Sequence, residues 1–243
     1  MSGHSKWSQI KRQKGVADIK RGAVFTKIAN AITIAVRQGG GVADPNSNFK
    51  LRLTVDKARE ANMPKENIER AIQRAINKQS GELEEIVYEG FAPFRVALIV
   101  EAFTDNRLRT NAEVKNIFDK GGGILGQPGS VSYMFRQTGK IVIKKDKMSS
   151  DEIFLLAAEA GAEDIEEAEE EVDLYTKGED LKKIREALIQ KGLEIKHADS
   201  VLRPTMIVEL KDEEQIQKVV DFIEKLENLD DVQKVYSNLE IKI

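Results

Sequence analysis

The chain has 243 residues, of which 41% are hydrophobic and 33% charged, so it can form one large domain or two or three smaller ones. It contains no cysteine, which excludes disulfides, thiolate zinc sites and cysteine nucleophiles, and no apolar run approaches the roughly 20 residues of a membrane-spanning helix. The net charge of −3 hides a split, because residues 1–80 hold 16 Lys and Arg against 6 Asp and Glu, whereas residues 81–243 hold 22 against 35. This asymmetry indicates a polyanionic partner at the basic end.

The first 21 residues, MSGHSKWSQIKRQKGVADIKR, combine many cations with the single tryptophan of the chain. Cationic side chains neutralise phosphates, and the flat side chains of Trp7 and His4 can stack on bases. The segment has no secretory h-region, and it is richer in lysine and poorer in large apolar residues than a mitochondrial transit peptide. Two interpretations of Trp7 stay open: stacking on nucleic acid or packing on the protein's own helices. The candidate nucleic-acid-binding residues are His4, Lys6, Trp7, Lys11, Arg12, Lys14, Lys20, Arg21 and Lys27.

Two amphipathic helices are predicted after this leader. Apolar side chains recur every four positions from Val24 to Val36, and a run of three glycines ends this first helix. Pro64 suits the first position of another helix, whose apolar face runs from Ile68 to Ala75.

The stretch between them, FKLRLTVDKAREAN at residues 49–62, fits two patterns. Every second residue from Phe49 to Val55 is apolar, which is typical of a strand. Leu51, Val55 and Ala58 also lie on one stripe of a helix, and KAREAN is a poor strand sequence. We therefore predict a helix here, and with it a three-helix N-terminal domain.

Strands and helices alternate beyond residue 81. Residues 139–202 alone have the order β-α-β-β-α-β, which is ferredoxin-like, and the flanking segments have the same order when they are joined. We predict an α+β fold of three domains: an N-terminal three-helix domain and two ferredoxin-like α/β domains, one inserted in the other. The alternative is one continuous mixed sheet. The predicted domains are 1–80 (basic leader and helices), 81–136 plus 203–243 (discontinuous α/β) and 137–202 (acidic, inserted).

A glycine-rich loop, GGGILGQPG, follows a helix predicted over 108–120 and precedes a predicted strand, VSYMF, at 131–135. Its G-x-G-x-x-G match is accidental as a dinucleotide motif, because that motif follows a strand and opens a helix. Either the loop is a connector, or its exposed backbone amides approach another molecule closely, as glycine permits. The candidate second contact loop consists of Gly121, Gly122, Gly123, Gly126, Gln127 and Pro128.

Catalytic and metal-binding constellations are scarce. The two histidines, His4 and His197, are far apart in sequence, and there is no P-loop, calcium loop or nucleophile elbow. Thirteen acids accompany one lysine between residues 151 and 180, which is typical of a solvated surface and singles out no catalytic pair. We expect no enzymatic activity, no cofactor and no metal.

More cations follow the leader within the helical region, where they can extend the nucleic-acid-binding surface, although several of them are expected to be ordinary solvated side chains. The acidic domain should be repelled by phosphate and so orient binding rather than join it. The second basic set consists of Lys50, Arg52, Lys57, Arg59, Arg70, Arg74 and Lys78.

Five motifs occur in order in the first 135 residues: GHSKW with IKRQKG, REANMPKENIERAI (59–72), YEGFAP (88–93), TDNRLRT (104–110) and GGGILGQPGSVSYMF (121–135). Together they resemble the YebC/PmpR family, which comprises bacterial regulators and mitochondrial relatives that act in translation. The resemblance implies three domains, one of them inserted in another, and a helix at 49–62. Members are usually described as DNA-binding transcriptional regulators, and some resemble translation factors that work on the ribosome.

The sequence and the resemblance together predict a cytoplasmic, non-enzymatic, DNA-binding transcriptional regulator that acts through its basic N-terminal region. The alternative is a translation factor that binds ribosomal RNA or the ribosome, because no helix-turn-helix with an obvious recognition helix is present. A second alternative is a protein-interaction adaptor that uses the acidic domain. No membrane partner is expected.

Overall fold

The computed structural model describes residues 21–77, 83–145, 148–168 and 170–242. Within these ranges the chain forms seven α-helices and ten β-strands, and none of these helices has the length and apolar character needed to cross a membrane. The helices are α1 (Arg21–Gln38), α2 (Phe49–Glu60), α3 (Lys65–Ile76), α4 (Arg107–Gly121), α5 (Ser150–Ala160), α6 (Leu181–Gln190) and α7 (Glu213–Glu227). The strands are β1 (Glu84–Phe91), β2 (Ala97–Thr104), β3 (Ile124–Leu125), β4 (Phe135–Lys144), β5 (Asp164–Glu167), β6 (Glu171–Lys177), β7 (Ile195–Pro204), β8 (Val208–Leu210), β9 (Val232–Ser237) and β10 (Leu239–Ile241).

The first three helices pack around one apolar core, in which Ile32, Val36 and Leu51 are fully buried. Asn48 connects the first two of them. Its Oδ1 accepts a hydrogen bond from the Leu51 backbone N–H (3.1 Å) and caps α2, while its Nδ2 donates to the Ala35 carbonyl (2.9 Å). The predicted helical N-terminal region is therefore confirmed for the residues that the structure describes.

Helix α2 is apolar on two faces, which explains the ambiguous pattern of its sequence. Leu51 and Val55 face the core of the three helices. Phe49 and Leu53 instead pack against the apolar cluster of a second sheet, formed by β4 to β7. The alternation that suggests a strand comes from a helix that contacts two different cores, and the prediction of a helix is confirmed.

The first sheet has the strand order β3-β1-β2-β9, and all of its neighbouring strands are antiparallel. Helices α4 and α7 pack on one face of it, and the rings of Phe118 and Phe222 meet edge to face with their centroids 5.1 Å apart. Strands β8 and β10 form a separate parallel pair.

The second sheet interrupts the first in sequence. Its order is β5-β6-β4-β7, with antiparallel neighbours, and α5 and α6 contribute to the core on one face. This arrangement is the ferredoxin-like order predicted for the middle of the chain. The fold class is confirmed: a helical N-terminal region is followed by two α/β units, one inserted in the other. The exact domain boundaries stay a prediction.

Three details of the interrupted unit differ from the sequence-based expectation. The predicted strand VSYMF is wrong over most of its length, because Ser132–Met134 forms a 3₁₀ turn and strand β4 begins at Phe135 and continues unbroken to Lys144. Strand β1 lies in a segment with no predicted element, and the first sheet consequently contains a β1–β2 hairpin. In the described chain β8 pairs with β10 instead of joining the four-stranded sheet.

The helical region is attached to both α/β units through polar contacts. Arg185 of α6 donates to Asp56 of α2 at 3.0 Å. Asp199 of β7 lies 3.7 Å from the Lys57 Nζ of α2 and 3.3 Å from the Lys234 Nζ of β9, so one carboxylate bridges all three parts of the molecule. These contacts fix the orientation of the helices, and they determine which cations remain at the surface.

Candidate nucleic-acid interface

Most of the predicted leader site lies outside the described residues. This holds for His4, Lys6, Trp7, Lys11, Arg12, Lys14 and Lys20, and their role stays a prediction. The described chain begins at Arg21, the first residue of α1.

Lys27 makes an internal contact. Its Nζ donates a 2.6 Å hydrogen bond to the carbonyl oxygen of Glu227, the last residue of α7. The final carbonyls of a helix lack partners within the helix, and the negative end of the helix dipole favours a cation there. Lys27 thus links the helical region to the first α/β unit, a role that its place in a basic segment did not indicate.

Three members of the second basic set also make contacts within the protein. Lys50 donates to the Gln38 side chain at 3.0 Å. Arg52 donates to the carbonyls of Pro45 (3.0 Å) and Asn46 (2.7 Å), and Lys57 pairs with Asp199. These side chains stabilise the loop before α2 and the contact between units.

The other described cations of this set are exposed: Arg59 lies near the end of α2, and Arg70 and Arg74, four residues apart, form an exposed cationic face on α3. Arg70 and Arg74 are exposed and make no hydrogen bond or ion pair with any residue of the described ranges. Arg59 and Lys65 are 70% and 88% exposed and have only local partners, Asp56 and Glu69. Because exposed pairs of this kind contribute little, all four cations are accessible to an anionic ligand.

The glycine-rich loop is held by an acid that the sequence analysis did not single out. Glu89 of β1 is 7% exposed, and its carboxylate accepts three backbone N–H bonds of 2.8 Å, from Gly129, Val131 and Ser132. Burial opposes ionisation, but the three donors more than offset it, so the pKa of Glu89 lies below its usual value. The carboxylate occupies the cradle that a bound anion would otherwise take.

Other amides of this loop are engaged as well. The Gly123 N–H donates to Phe118 (3.0 Å) and the Gly126 N–H donates to the backbone oxygen of Glu89 (2.7 Å). A Cβ at position 123 would lie 2.8 Å from the Phe91 carbonyl oxygen, so glycine there permits close packing on the sheet. These contacts favour a packed loop over one that offers free amides. A contact through Gln127 and Pro128, both exposed, stays a prediction.

Replacing Glu89 by Gln should lower the free energy of unfolding by about 2 kcal/mol at neutral pH, since a neutral amide directs an N–H group at one of three N–H donors. Because the pKa of Glu89 is lowered by folding, its contribution is present above the unfolded pKa and is lost as the pH falls through the folded pKa. Urea unfolding of both proteins at several pH values measures this. The difference in free energy of unfolding between the native protein and Glu89→Gln should become smaller in acid. A difference that does not depend on pH would contradict the assignment of this stability to the Glu89 carboxylate.

Asp231 is the second buried acid that sequence reasoning missed. Its Oδ2 accepts hydrogen bonds from Thr104 (3.0 Å), Arg109 (2.7 Å) and Thr110 (2.7 Å), all in the TDNRLRT motif. Burial opposes ionisation, yet these donors lower the pKa of Asp231 below its usual value. The motif therefore fastens the start of α4 to the turn between α7 and β9.

Neither acid forms part of a metal site, because the described residues contain no group of three or more His, Asp or Glu side chains that could hold an ion. Glu89 and Asp231 instead stabilise a scaffold. Its two α/β units position a helical region with an exposed cationic face. In class, this is a multidomain α/β protein whose helical region carries exposed cations.

The family follows from comparison with known proteins. A model described as "TACO1/YebC protein N-terminal domain" matches residues 5–78, and one described as "TACO1/YebC second and third domain" matches residues 83–239. The chain belongs to the TACO1/YebC family, which confirms the resemblance drawn from its motifs.

Individual relatives agree over nearly the whole chain. A probable transcriptional regulatory protein of Chloroflexus aurantiacus is 50% identical over 244 residues, which cover 99% of this chain and 96% of that protein. One from Persephonella marina is 49% identical over 243 residues with the same coverage. The crystal structure of a conserved hypothetical protein from Aquifex aeolicus is 42% identical and superimposes with a TM-score of 0.86 over 93% of each chain. The names of the first two support a regulatory role.

Proposed function

We propose that the protein is a non-enzymatic regulator that binds nucleic acid in the cytoplasm through its basic N-terminal region. The observation that carries this proposal is the exposed cationic face of α3, where Arg70 and Arg74 have no partner among the described residues. Guanidinium groups are well suited to phosphate oxygens. The leader directly precedes this helical region in sequence, and it contributes five further Lys and Arg within residues 1–20.

Duplex DNA is the first candidate target, because relatives named as transcriptional regulators support it. Structured RNA, including ribosomal RNA, is the second candidate. A specific observation favours it: the cationic face borders an apolar groove between α1 and α3, and unpaired bases need such surfaces whereas paired bases do not. Co-sedimentation with ribosomes, compared with a duplex-DNA shift at matched salt, separates these candidates.

Binding to either nucleic acid should weaken steeply as salt rises, because neutralised phosphates release counterions. On duplex DNA the slope of log K against log salt is about −0.9 per phosphate contact, so four or more contacts give a slope of about −4 or steeper. Fluorescence anisotropy from low to moderate salt measures it. A phosphate-free peptide-nucleic-acid duplex of the same sequence is the control and should not bind. A flat salt profile would contradict the phosphate contacts and favour the adaptor hypothesis.

A further inference from the structure

The helical region has an apolar groove at its surface, which the exposed cations alone do not explain. Helices α1 and α3 leave a groove of about 210 Å³ between them, next to the exposed arginines. Its apolar lining comes from Phe25, Ala29, Met63 and Ala71. Sites for drug-sized molecules start at about 300 Å³, so this groove suits a single flat group.

The turn before α3 explains why the groove exists. Asn62 has a left-handed backbone (φ 56°), which turns the chain sharply, and the Met63 N–H donates to the Ala58 carbonyl at 2.9 Å. This places Met63, which is 6% exposed, in the core beside the groove. Pro64 then caps α3. Met63 of the second motif thus lines the groove.

Polar side chains of α3 lie along the same groove. Asn67, Arg70 and Arg74 all line it, and their spacing of three and four residues places them on one face of the helix. Asn67 is half-buried, and its side-chain amide can donate to or accept from the edge of a base. The two guanidinium groups beside it are placed to contact the phosphates on either side of a bound nucleotide.

The combination of apolar lining, amide and paired cations identifies the occupant. A second protein segment of basic character, such as the leader, would bring cations against Arg70 and Arg74. A nucleotide instead supplies an aromatic ring for the apolar surface and negative charge for the arginines, so charge complementarity favours it.

We propose that this groove binds one unpaired base of a single-stranded or looped nucleic acid, with Phe25 and Met63 contacting the base and Arg70 and Arg74 contacting its flanking phosphates. The proposal rests on the proposed function and deepens it, because it specifies which nucleotides the helical region selects. It assigns base selection to the groove, whereas the leader supplies affinity without regard to pairing.

The test compares an RNA hairpin with an unpaired loop against a fully paired duplex of equal length. The variant Ala29→Leu fills the groove without changing charge. It should weaken hairpin binding about tenfold and leave duplex binding within about twofold, since stacking of one base contributes an effect of this size. A 2-aminopurine in the loop should change its fluorescence on binding to the native chain, and this change should be lost in the variant.

The double variant Arg70→Gln/Arg74→Gln tests the same groove without altering its apolar packing. Its matched control is Arg59→Gln/Lys65→Gln, which removes equal charge from exposed positions outside the groove. We expect the groove pair to lower hairpin affinity at least about tenfold more than the control pair. Equal losses would overturn the proposal, and thermal unfolding by circular dichroism verifies that every variant is folded.

The remaining outcomes separate the two proposals. If the native chain binds neither nucleic acid, the proposed function itself fails. If it binds both with a steep salt dependence and Ala29→Leu changes neither affinity, only the groove proposal fails. Trp7 is the single tryptophan, so its emission reports on the leader. A shift of that emission in the free Ala29→Leu chain would mean that the leader occupies the groove, which would also overturn the proposal.

Discussion

Replacing Asp231 by Ala should lower the free energy of unfolding by about 3 kcal/mol. The side chain accepts from two threonine hydroxyls and one guanidinium, and its removal leaves the buried hydroxyls of Thr104 and Thr110 without this acceptor. Losing one partner of a buried charged network costs about 3–5 kcal/mol. We expect a loss at the lower end of this range, because Arg109 is half-exposed and water can solvate its guanidinium group in the variant.

The adjacent residue provides a matched control. Asp230 is exposed, and Asp230→Ala should change stability by less than about 0.5 kcal/mol. Folding lowers the pKa of Asp231. The difference in free energy of unfolding between the native protein and Asp231→Ala should therefore be largest above the ordinary pKa of an aspartate, and it should decline as the pH falls through the lowered pKa of the folded state. Urea unfolding followed by circular dichroism measures it. Equal effects at 230 and 231 would show that the network contributes no stability.

Neutralising the leader should have the largest effect on binding. In this variant the five Lys and Arg of residues 1–20 are replaced by Gln, so that chain length and Trp7 are retained. If all five contact phosphates, the slope of log K against log salt on duplex DNA should become less steep by about 4.5, and affinity at low salt should fall at least about 100-fold. The five residues are Lys6, Lys11, Arg12, Lys14 and Lys20.

The control for this variant removes the same charge elsewhere. It replaces five exposed lysines outside the helical region, and it should leave the salt slope within about one unit of the native value. If both variants lose affinity equally, net charge rather than the leader governs binding, and the proposed interface is contradicted. The control lysines are Lys177, Lys182, Lys183, Lys211 and Lys225.

Much of the fold could be predicted because its helices carry strong local periodicity. The apolar residues of helices α1 and α3 recur with helical periodicity in the sequence. In the middle of the chain, the predicted strands and helices follow the ferredoxin-like order. Strand β1 was missed because glutamates and a glycine interrupt its apolar residues. The 3₁₀ turn at Ser132–Met134 was missed because its conformation is set by distant Glu89, which accepts from Ser132.

The candidate site was less predictable, because a basic residue looks the same in sequence whether it faces solvent or a neighbouring domain. Lys27 and Lys57 contact groups 200 and 142 residues away along the chain, and such partners have no local signal. Glu89 and Asp231 are single acids whose hydrogen-bond donors lie about 40 and 120 residues away. The motifs that contain their partners were visible, but their structural role was not.

We expect the N-terminal region, and not the acidic inserted unit, to contact nucleic acid. Ultraviolet crosslinking of the native chain to an RNA hairpin and to a duplex, followed by mass spectrometry of the crosslinked peptides, tests it most directly. We predict crosslinks in residues 1–77 with both ligands, with Phe25 or Met63 crosslinked only to the hairpin. Crosslinks concentrated in residues 148–202 would contradict this account.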